Sequence, residues 1–349
     1  METRIIKVEN DSAMQAFLDV PYTVYREGEV PLQADRWTVS LRFTPLVNPI
    51  LQHVRLANFV ALDRGRGVGR ITASADDLNP RRWEGFWGCF ECIDSAPIAE
   101  ALLAAAAGWL REQNKTVMIG PATLTTSEQV GLLIEGFEQQ PPPELPFNPP
   151  YYRRLAESAG LVKVQDLECY RWRLPEVLPD ALVKKEPLGS VTTRPINYDD
   201  IAGEAELVQK IYNKAFNDIW GFIPMTLMDT RAFIKGMAQK VPEWMFILVQ
   251  VDDRPAGMGL AIPYKEPVGQ GGRGKLARIA FGGVVPEFRH KRAHLPLIKE
   301  FFVQCKEHGF VGGEVSQVAE SNDGVKSKVV KPFMSNDLVR VHRVYRREL

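Results

Sequence analysis

Apolar and polar positions alternate in two separate stretches of the chain, and each stretch predicts a β-hairpin. Residues 58–73 place apolar runs on both sides of a turn rich in Asp, Gly and Arg, and residues 246–262 repeat this pattern around Asp252 and Asp253. Apolar runs that flank such a turn are typical of two antiparallel strands. The chain therefore contains two similar hairpins, one in each half.

The residues around each hairpin follow the same order in both halves. Leu297, Ile298, Phe301, Phe302 and Cys305 recur at the spacing of one helix face, which predicts an amphipathic helix after the second hairpin. In each half we expect a strand, a helix, the hairpin, a strand, a helix and a further strand, at 5–8, 12–18, 58–73, 85–93, 98–112 and 116–119, and at 191–196, 201–216, 246–262, 277–285, 295–306 and 311–316. This shared order indicates an internal duplication.

A proline-rich segment separates the two halves. Residues 174–189 contain three prolines and lie between the strand-like runs 168–174 and 190–196. This is the composition of a linker. We therefore expect an N-terminal domain over 1–174, a linker over 175–189 and a C-terminal domain over 190–349.

The composition restricts the class of protein. The chain has 349 residues, of which 45% are hydrophobic and 25% charged, so two domains with real cores are expected. Lys+Arg and Asp+Glu are equal at 43 each, which argues against a nucleic-acid binder. The longest strongly apolar stretch, 101–110, is about half of the roughly 20 residues in a membrane-spanning helix. The N-terminus lacks a signal-like apolar core, and four scattered cysteines suggest no disulfide framework. We expect a cytoplasmic protein without a transmembrane segment.

A basic segment follows the strand predicted at 277–285 and precedes a helix. It contains Arg289, His290, Lys291, Arg292 and His294. A helix start leaves about four N–H groups unpaired, with the positive end of the helix dipole behind them, so N–H groups and cations can hold a phosphate there. The alternative is a solvated basic turn without a ligand. The corresponding segment of the first half, 92–97, contains Asp94 and no cation, which disfavours an anion.

Sequence blocks spread from end to end resemble the tandem GNAT acyltransferases, a group that includes the bacterial ceramide synthases. Residues 278–294 are similar to the GNAT strand-to-helix junction that binds acyl-CoA, and the other blocks lie at 21–25, 85–92, 120–121, 131–137, 148–152, 314–316, 320–322 and 342–346. The resemblance implies an α/β (α+β) fold of two tandem GNAT-like domains, each a mixed, mostly antiparallel sheet flanked by helices. It implies acyl-CoA as the donor substrate and no metal.

The resemblance also suggests which residues bind the donor. Gly283, Val284 and Val285 would offer main-chain hydrogen bonds to the pantetheine arm, and the basic residues of 289–294, together with Asn322, would hold the rest of the CoA. Arg292 and His294 replace glycines of the family pattern, and their side chains either add charge contacts or block the approach of the diphosphate. The N-terminal domain, without such cations, is expected to shape the substrate site.

Candidate catalytic groups follow the same comparison. Glu314 and Glu320 are candidate bases, directly or through water, although Glu314 is alternatively a salt-bridged strand residue. Val329 and Val330 stand where these enzymes often have a tyrosine that protonates the thiolate. Tyr345 on the final strand is then the nearest tyrosine candidate.

Substrate-binding candidates lie in both halves. Glu91 belongs to one of the matching blocks, and Tyr151 and Tyr152 end a proline-rich loop, where they either line a substrate pocket or pack inward at the start of a helix. An apolar cluster in the C-terminal half is either core or, if exposed, an entry for a fatty chain or a peripheral membrane contact: Trp220, Phe222, Ile223, Met225, Leu227 and Met228.

Two functions remain open on the sequence alone. In the first, the protein is an N-acyltransferase that moves an acyl group from acyl-CoA, or from an acyl carrier protein, to a small amine or lipid amine. The resemblance points to a long-chain donor and a sphingoid-base-like acceptor. In the second, it is a catalytically inactive tandem GNAT protein that binds acyl-CoA or a partner. The set Arg289, Glu314, Glu320 and Asn322 favours the enzyme.

Three other motifs are weak evidence for a nucleotide, redox or metal site. Residues 269–275 match G-x-x-x-x-G-K, but Leu276 replaces the hydroxyl residue that would hold magnesium, and a strand follows. Cys89 and Cys92 have metal or redox spacing without a second pair, so two buried thiols are the better interpretation. The histidines have no partner spacing, and no metal site is expected.

Overall fold

A computed structural model describes residues 3–25, 36–139, 141–265, 274–334 and 337–349. Within them the chain forms two compact units, one of Met1–Asp166 with Val341–Leu349 and one of Leu167–Arg340. Most of the loop 269–275, which matches a phosphate-binding spacing, lies outside the described residues.

Strands account for most of both units. They are β1 (Thr3–Lys7), β2 (Val54–Asp63), β3 (Arg66–Asp76), β4 (Glu84–Cys92), β5 (Val117–Gly120), β6 (Leu132–Glu135), β7 (Val162–Arg173), β8 (Val191–Pro195), β9 (Phe246–Val251), β10 (Arg254–Lys265), β11 (Lys275–Val284), β12 (Phe310–Ala319) and β13 (Leu338–Glu348).

Helices occupy the connections between the strands. They are α1 (Asp11–Asp19), α2 (Pro21–Val24), α3 (Arg36–Leu41), α4 (Ala96–Glu112), α5 (Tyr152–Ser158), α6 (Asp180–Val183), α7 (Ile201–Ala215), α8 (Leu227–Ala238), α9 (His294–Glu307), α10 (Asp323–Val325) and α11 (Lys331–Phe333). Short 3-10 turns lie at Pro49–Gln52, Tyr198–Asp200, Glu243–Met245 and Pro286–Lys291, and a π-helical turn lies at Lys326–Val330.

The sheet of the first unit has the order β1-β2-β3-β4-β5-β13, with β6 also paired to β13. The β4–β5 pair is parallel and the other pairs are antiparallel. Helix α4 lies against this sheet through its Ala- and Leu-rich face. Gly69 on β3 allows the close approach, because a Cβ atom there would lie 2.8 Å from a Leu102 methyl group.

The sheet of the second unit repeats that order as β8-β9-β10-β11-β12-β7. Again one pair, β11–β12, is parallel, and the others are antiparallel. The predicted helix face of α9 is buried at all of its apolar positions. Trp172 on β7 stacks on Phe302 of α9 with ring centroids 6.0 Å apart, and its indole N–H donates to the Ala277 carbonyl at 3.0 Å.

The duplicated element order is confirmed, and the protein has the expected mixed α/β fold. The units differ from the expected boundaries at 174 and 190 because the closing strands are exchanged. Residues 167–173 of β7, from the N-terminal half, pair with β12 in the second unit. Residues 345–348 of β13, from the C-terminal half, pair with β5 in the first unit. Residues 175–189 belong to the second unit and contain the short helix α6.

No helix in the described part of the chain is both long enough and apolar enough to cross a membrane.

Candidate functional site

Strands β11 and β12 of the second unit separate halfway along their length. They pair in parallel from Lys275 and Phe310 to Ile279 and Val315. Beyond Ile279 and Val315, β11 remains paired with β10 up to Val284, and β12 remains paired with β7. A gap, the β11–β12 gap, therefore opens beside residues 280–284.

The main chain of Val284 faces this gap. The Val285 N–H donates to the Ala256 carbonyl of the preceding segment at 2.8 Å, and in an antiparallel pair the residues that bond across the pair alternate with those that point away from it. Val284 and Gly282 therefore direct their N–H and C=O groups into the gap, while Gly283 and Val285 direct theirs to β10. Of the three predicted main-chain donors, only Val284 is directed into the gap.

The start of α9 lies just after this strand and offers few further N–H groups. The 3-10 turn Pro286–Lys291 ends at Arg292, whose backbone is left-handed with φ of 59°. The Leu295 N–H is bonded to the Arg292 carbonyl at 3.0 Å, and Pro296 has no N–H. The backbone N–H groups of Ala293 and His294 are therefore available to bind an anion.

Three basic side chains surround this helix start. Burial lowers the pKa of His294, and the charges of Lys328 and Arg292 lower it further, so these two cations lie near the imidazole. Lys328 comes from the π-helical turn after β12. Arg292 and Lys328 are exposed, and neither has an ion-pair partner in the described part of the chain. Lys328 was not predicted from the sequence because it is far from the other two residues along the chain.

Arg289 is bonded within the protein. Its guanidinium donates to both carboxylate oxygens of Asp218 at 2.8 and 3.3 Å and to the carbonyls of Ala215 and Val284 at 3.0 and 3.1 Å. These bonds hold the turn against the end of α7. His290 is exposed, and the Lys291 ammonium is near Gly189 and Asp252. Among the basic residues predicted to bind CoA, Arg292 and His294 are therefore the ones directed to the helix start.

The predicted acidic residues of the second unit have different surroundings. Glu314 on β12 is buried and forms an ion pair with buried Arg340 at 3.2 Å, which is the structural alternative left open by the sequence. Glu320 lies in the loop after β12, and its carbonyl accepts from the Lys326 ammonium at 2.8 Å. The Asn322 side chain caps α10 by accepting from the Val325 N–H at 3.1 Å.

Tyr345 belongs to the first unit, because the part of β13 that carries it pairs with β5. Its side chain is buried, and its hydroxyl donates to Glu157 at 3.2 Å. The predicted boundaries put Tyr345 in the C-terminal domain, together with Glu314 and Glu320. The structure puts it in the other unit, because the closing strands are exchanged and sequence order does not reveal this exchange.

The corresponding position in the first unit is Cys92, the last residue of β4, which like Val284 is paired with a glycine of the preceding strand. Its N–H donates to the Tyr152 hydroxyl at 2.8 Å, and its carbonyl accepts from the Tyr151 hydroxyl at 2.8 Å. Tyr152 also donates to Glu91 at 2.8 Å. Both tyrosines lie at the start of α5, and Tyr152 is fully buried. The Tyr152 side chain therefore packs inward at the start of α5.

The helix start of the first unit has a cation that was not predicted from the sequence. Arg154 on α5 forms an ion pair with Asp94, just before α4. The two charges compensate each other at this surface position. No side chain caps α4 at Ser95.

The apolar cluster at 220–228 is only partly core. Ile223 is buried, whereas Trp220, Phe222, Met225 and Leu227 are half-buried and Met228 is half exposed. Phe222 is in contact with Tyr212 of α7, with ring centroids 5.8 Å apart. The second unit thus has accessible apolar side chains beside α7 and α8.

Neither the cysteines nor the acidic residues form a metal site in the part of the chain that the structure describes. Cys92 is buried, and burial raises the pKa of its thiol to about 12. Cys89 is half-buried, with its thiol 3.7 Å from the Thr123 carbonyl.

Comparison with known proteins gives relatives over most of the chain. A bacterial ceramide synthase of Caulobacter vibrioides (strain NA1000 / CB15N) is 30% identical over 270 residues, which cover 74% of this chain and 69% of the relative. Protein YghO of Escherichia coli (strain K12) is 28% identical over 263 residues, which cover 73% and 66%. No family model matches the chain.

Solved structures show the same fold. A tandem GNAT protein from the clavulanic acid biosynthesis pathway, without AcCoA, superposes with a TM-score of 0.52 at 13% identity, covering 99% of this chain and 98% of the other. A GCN5-related N-acetyltransferase from Sphaerobacter thermophilus also gives a TM-score of 0.52, at 16% identity, with 99% and 95% covered.

Proposed function

The chain belongs to the tandem GNAT group of acyltransferases that includes the bacterial ceramide synthases, and from this premise we propose that it transfers an acyl group from acyl-CoA to an amine. The amine nitrogen attacks the thioester carbonyl carbon, the carbon–sulfur bond breaks, and the products are an amide and the CoA thiol. An acyltransferase activity follows from the family; the donor, the acceptor and the site are our proposal.

The observation that carries the proposal is the Val284 main chain in the β11–β12 gap. Its N–H points away from β10 and is not bonded to any described residue, so a pantetheine amide or thioester carbonyl could accept from it. At the end of this strand, the N–H groups of Ala293 and His294 and the cations Arg292 and Lys328 offer a place for the diphosphate. Arg292, at a glycine position of the family pattern, then adds charge.

Proton transfer in this scheme uses one protein group, a base that takes the proton of the amine. We assign the base to Glu320, beside α10, because the Glu314 carboxylate is engaged by Arg340. A thiol such as that of free cysteine has a pKa near 8.5 in water, so a thiolate can depart without an acid. We therefore assign no catalytic step to Tyr345.

A lipid amine with a long-chain donor is the substrate class that we propose. The name of the Caulobacter relative points to a ceramide product, and the accessible apolar side chains at 220–228 could accommodate alkyl chains or touch a membrane surface. A sphingoid-base-like acceptor combines the amine and the alkyl chain.

Thiol release from palmitoyl-CoA in the presence of sphinganine tests the activity, with short alkylamines for comparison. Replacement of both Arg292 and Lys328 by Glu should weaken palmitoyl-CoA binding at least tenfold, since a charge-assisted hydrogen bond contributes about 1.5–3 kcal/mol. Lys299→Glu, an exposed position on α9, is the matched control and should bind normally. Glu320→Gln should lower kcat and leave donor binding intact. Wild-type affinity in the Arg292/Lys328 variant would place the donor elsewhere.

A further inference from the structure

Arg289, in the 3-10 turn before α9, joins three segments of the second unit. Its guanidinium donates to the Val284 carbonyl at the end of β11 at 3.1 Å and to the Ala215 carbonyl at the end of α7 at 3.0 Å. It also donates to both carboxylate oxygens of Asp218, in the loop after α7, at 2.8 and 3.3 Å. A guanidinium has five N–H groups, and these four bonds leave one of them for any other acceptor. Arginine usually binds phosphate with two parallel N–H groups.

The peptide group between Val284 and Val285 is held from both sides. Its carbonyl accepts from Arg289 on the side of the β11–β12 gap, and its N–H donates to the Ala256 carbonyl at 2.8 Å on the side of β10. Because a peptide group is planar, two bonds on opposite sides fix its orientation. The N–H of Val284 points to the same side of the strand as the carbonyl of this residue, so Arg289 also fixes the direction of that N–H group.

The end of α7 lies directly on β11 beside this peptide group. A Cβ atom at Gly283 would lie 2.8 Å from the Phe216 ring, so the ring covers the main chain of the residue before Val284. The same ring contacts Phe281, with centroids 5.9 Å apart. Arg289 therefore connects the loop after α7 to a strand on which α7 already packs closely. A movement of this loop would be transmitted to the main chain at the gap.

The pair of Arg289 with Asp218 fixes geometry more than it stabilises the fold. The side chains are 41% and 55% exposed, and ion pairs at such exposed positions contribute little to stability. Two parallel bonds to one carboxylate nevertheless set the plane of the guanidinium. The hydrogen bond from Arg289 lowers the pKa of the Asp218 carboxyl, so the carboxylate stays ionised at neutral pH. The guanidinium is thereby aimed at the Val284 carbonyl.

We propose that Arg289 is a positioning residue, held by Asp218, that orients the Val284 main chain for the thioester of the acyl donor and does not bind the diphosphate. The identity of the acyl donor rests on the proposed function. An arginine that binds phosphate would have to release Asp218. Loss of Asp218 would then free a phosphate ligand, whereas it would misalign a positioning residue. The two roles therefore predict different effects of the same substitution.

Amide hydrogen exchange of the protein without ligand tests the orientation directly. Arg289→Gln and Asp218→Ala should each raise the exchange rate of the Val285 amide at least about fivefold, because its peptide group is then held from one side only. Lys214→Gln is the matched control, since Lys214 at the end of α7 forms an exposed pair with Glu287 of the same turn. This control should exchange like the wild type. A Val285 rate that is equal in all three variants would overturn the proposal.

Turnover of palmitoyl-CoA with sphinganine separates positioning from phosphate binding. At saturating palmitoyl-CoA, Arg289→Gln and Asp218→Ala should each lower kcat at least about tenfold, because misplacement by about 1 Å can cost a hundredfold in rate. Arg289→Lys should be no better than Arg289→Gln, because an ammonium keeps the charge but cannot reach three acceptors in a fixed plane. Lys214→Gln should keep the wild-type kcat.

The opposite pattern would identify a phosphate ligand. If Arg289→Gln weakens the binding of 3′-phospho-ADP, which has the diphosphate and no pantetheine, while Asp218→Ala strengthens it and Arg289→Lys restores it, the proposal is wrong. A wild-type protein that binds no palmitoyl-CoA would instead refute the proposed acyl donor. The Val285 exchange rates would still decide whether Arg289 orients the main chain, so the two failures are distinguishable.

Discussion

Glu314 and Arg340 form an ion pair that decides between a structural and a catalytic role for Glu314. The carboxylate oxygens accept from Arg340 Nε at 3.3 Å and Nη2 at 3.2 Å, and the two side chains are only 8% and 1% exposed. The pair lies on β12 and at the beginning of β13, within the second unit. If the role of Glu314 is to pair with Arg340, its replacement must lower the free energy of unfolding and have little effect on the rate of acyl transfer.

The expected magnitude follows from the burial of Arg340. Glu314→Ala removes the carboxylate that pairs with a guanidinium of which only 1% is exposed. The loss of one partner from a buried pair costs about 3–5 kcal/mol. In the double variant Glu314→Leu/Arg340→Met neither charge of this pair is left buried, so most of the lost stability should return.

Urea unfolding followed by tryptophan fluorescence measures both variants, and the buried Trp172 reports on the second unit. Asp180→Ala removes an exposed pair with Lys184 and, as a control, should change the free energy of unfolding by about 0.5 kcal/mol or less. A Glu314→Gln variant that unfolds like the wild type but has lost acyl transfer would contradict the structural role. That result would make Glu314 a catalytic residue.

Three further outcomes can be measured directly. Burial, with Lys328 and Arg292, lowers the pKa of His294; a bound diphosphate should raise it, so palmitoyl-CoA affinity should increase as the pH falls through the pKa of the imidazole in the complex, and a flat profile contradicts the placement of the diphosphate. Tyr152→Phe removes the bonds to Glu91 and Cys92 and should cost about 2–4 kcal/mol in urea unfolding; an unchanged midpoint would show that these bonds contribute nothing. Burial raises the pKa of Cys92 and Cys305 to about 12, so a disulfide reagent should leave both intact in the folded protein, and rapid modification would contradict their burial.

Local patterns were sufficient to predict the repeated elements. The hairpins β2–β3 and β9–β10 and the helices α4 and α9 come from apolar spacing and turn composition, which depend on neighbouring residues. The inward packing of Tyr152 was one of two alternatives, and only the fold decided between them. The exchange of β7 and β13 could not be predicted, because either closing strand could complete either sheet without a change in its own apolar pattern.

The candidate site depends on contacts between residues that are far apart along the chain, and the sequence pattern does not reveal such contacts. Arg289 looks like a phosphate ligand in the sequence, but Asp218 and two carbonyls occupy its guanidinium. Lys328 and Arg154 carry no motif, and only the fold places them at the starts of α9 and α4. A lone basic or acidic residue has no sequence signal that reveals its partner.

The two units give the same main-chain position different partners, and this bears on where a donor can bind. Cys92 and Val284 both direct an N–H away from the preceding strand, but Cys92 already bonds two phenols, whereas the Val284 carbonyl accepts from Arg289 and its N–H is directed into the gap. A thioester in the first unit must break both phenol bonds. With about 1–1.5 kcal/mol lost for each, the penalty is about 2–3 kcal/mol, or roughly 30- to 150-fold in affinity. The difference in hydrogen bonding alone therefore favours one donor per chain, bound in the second unit.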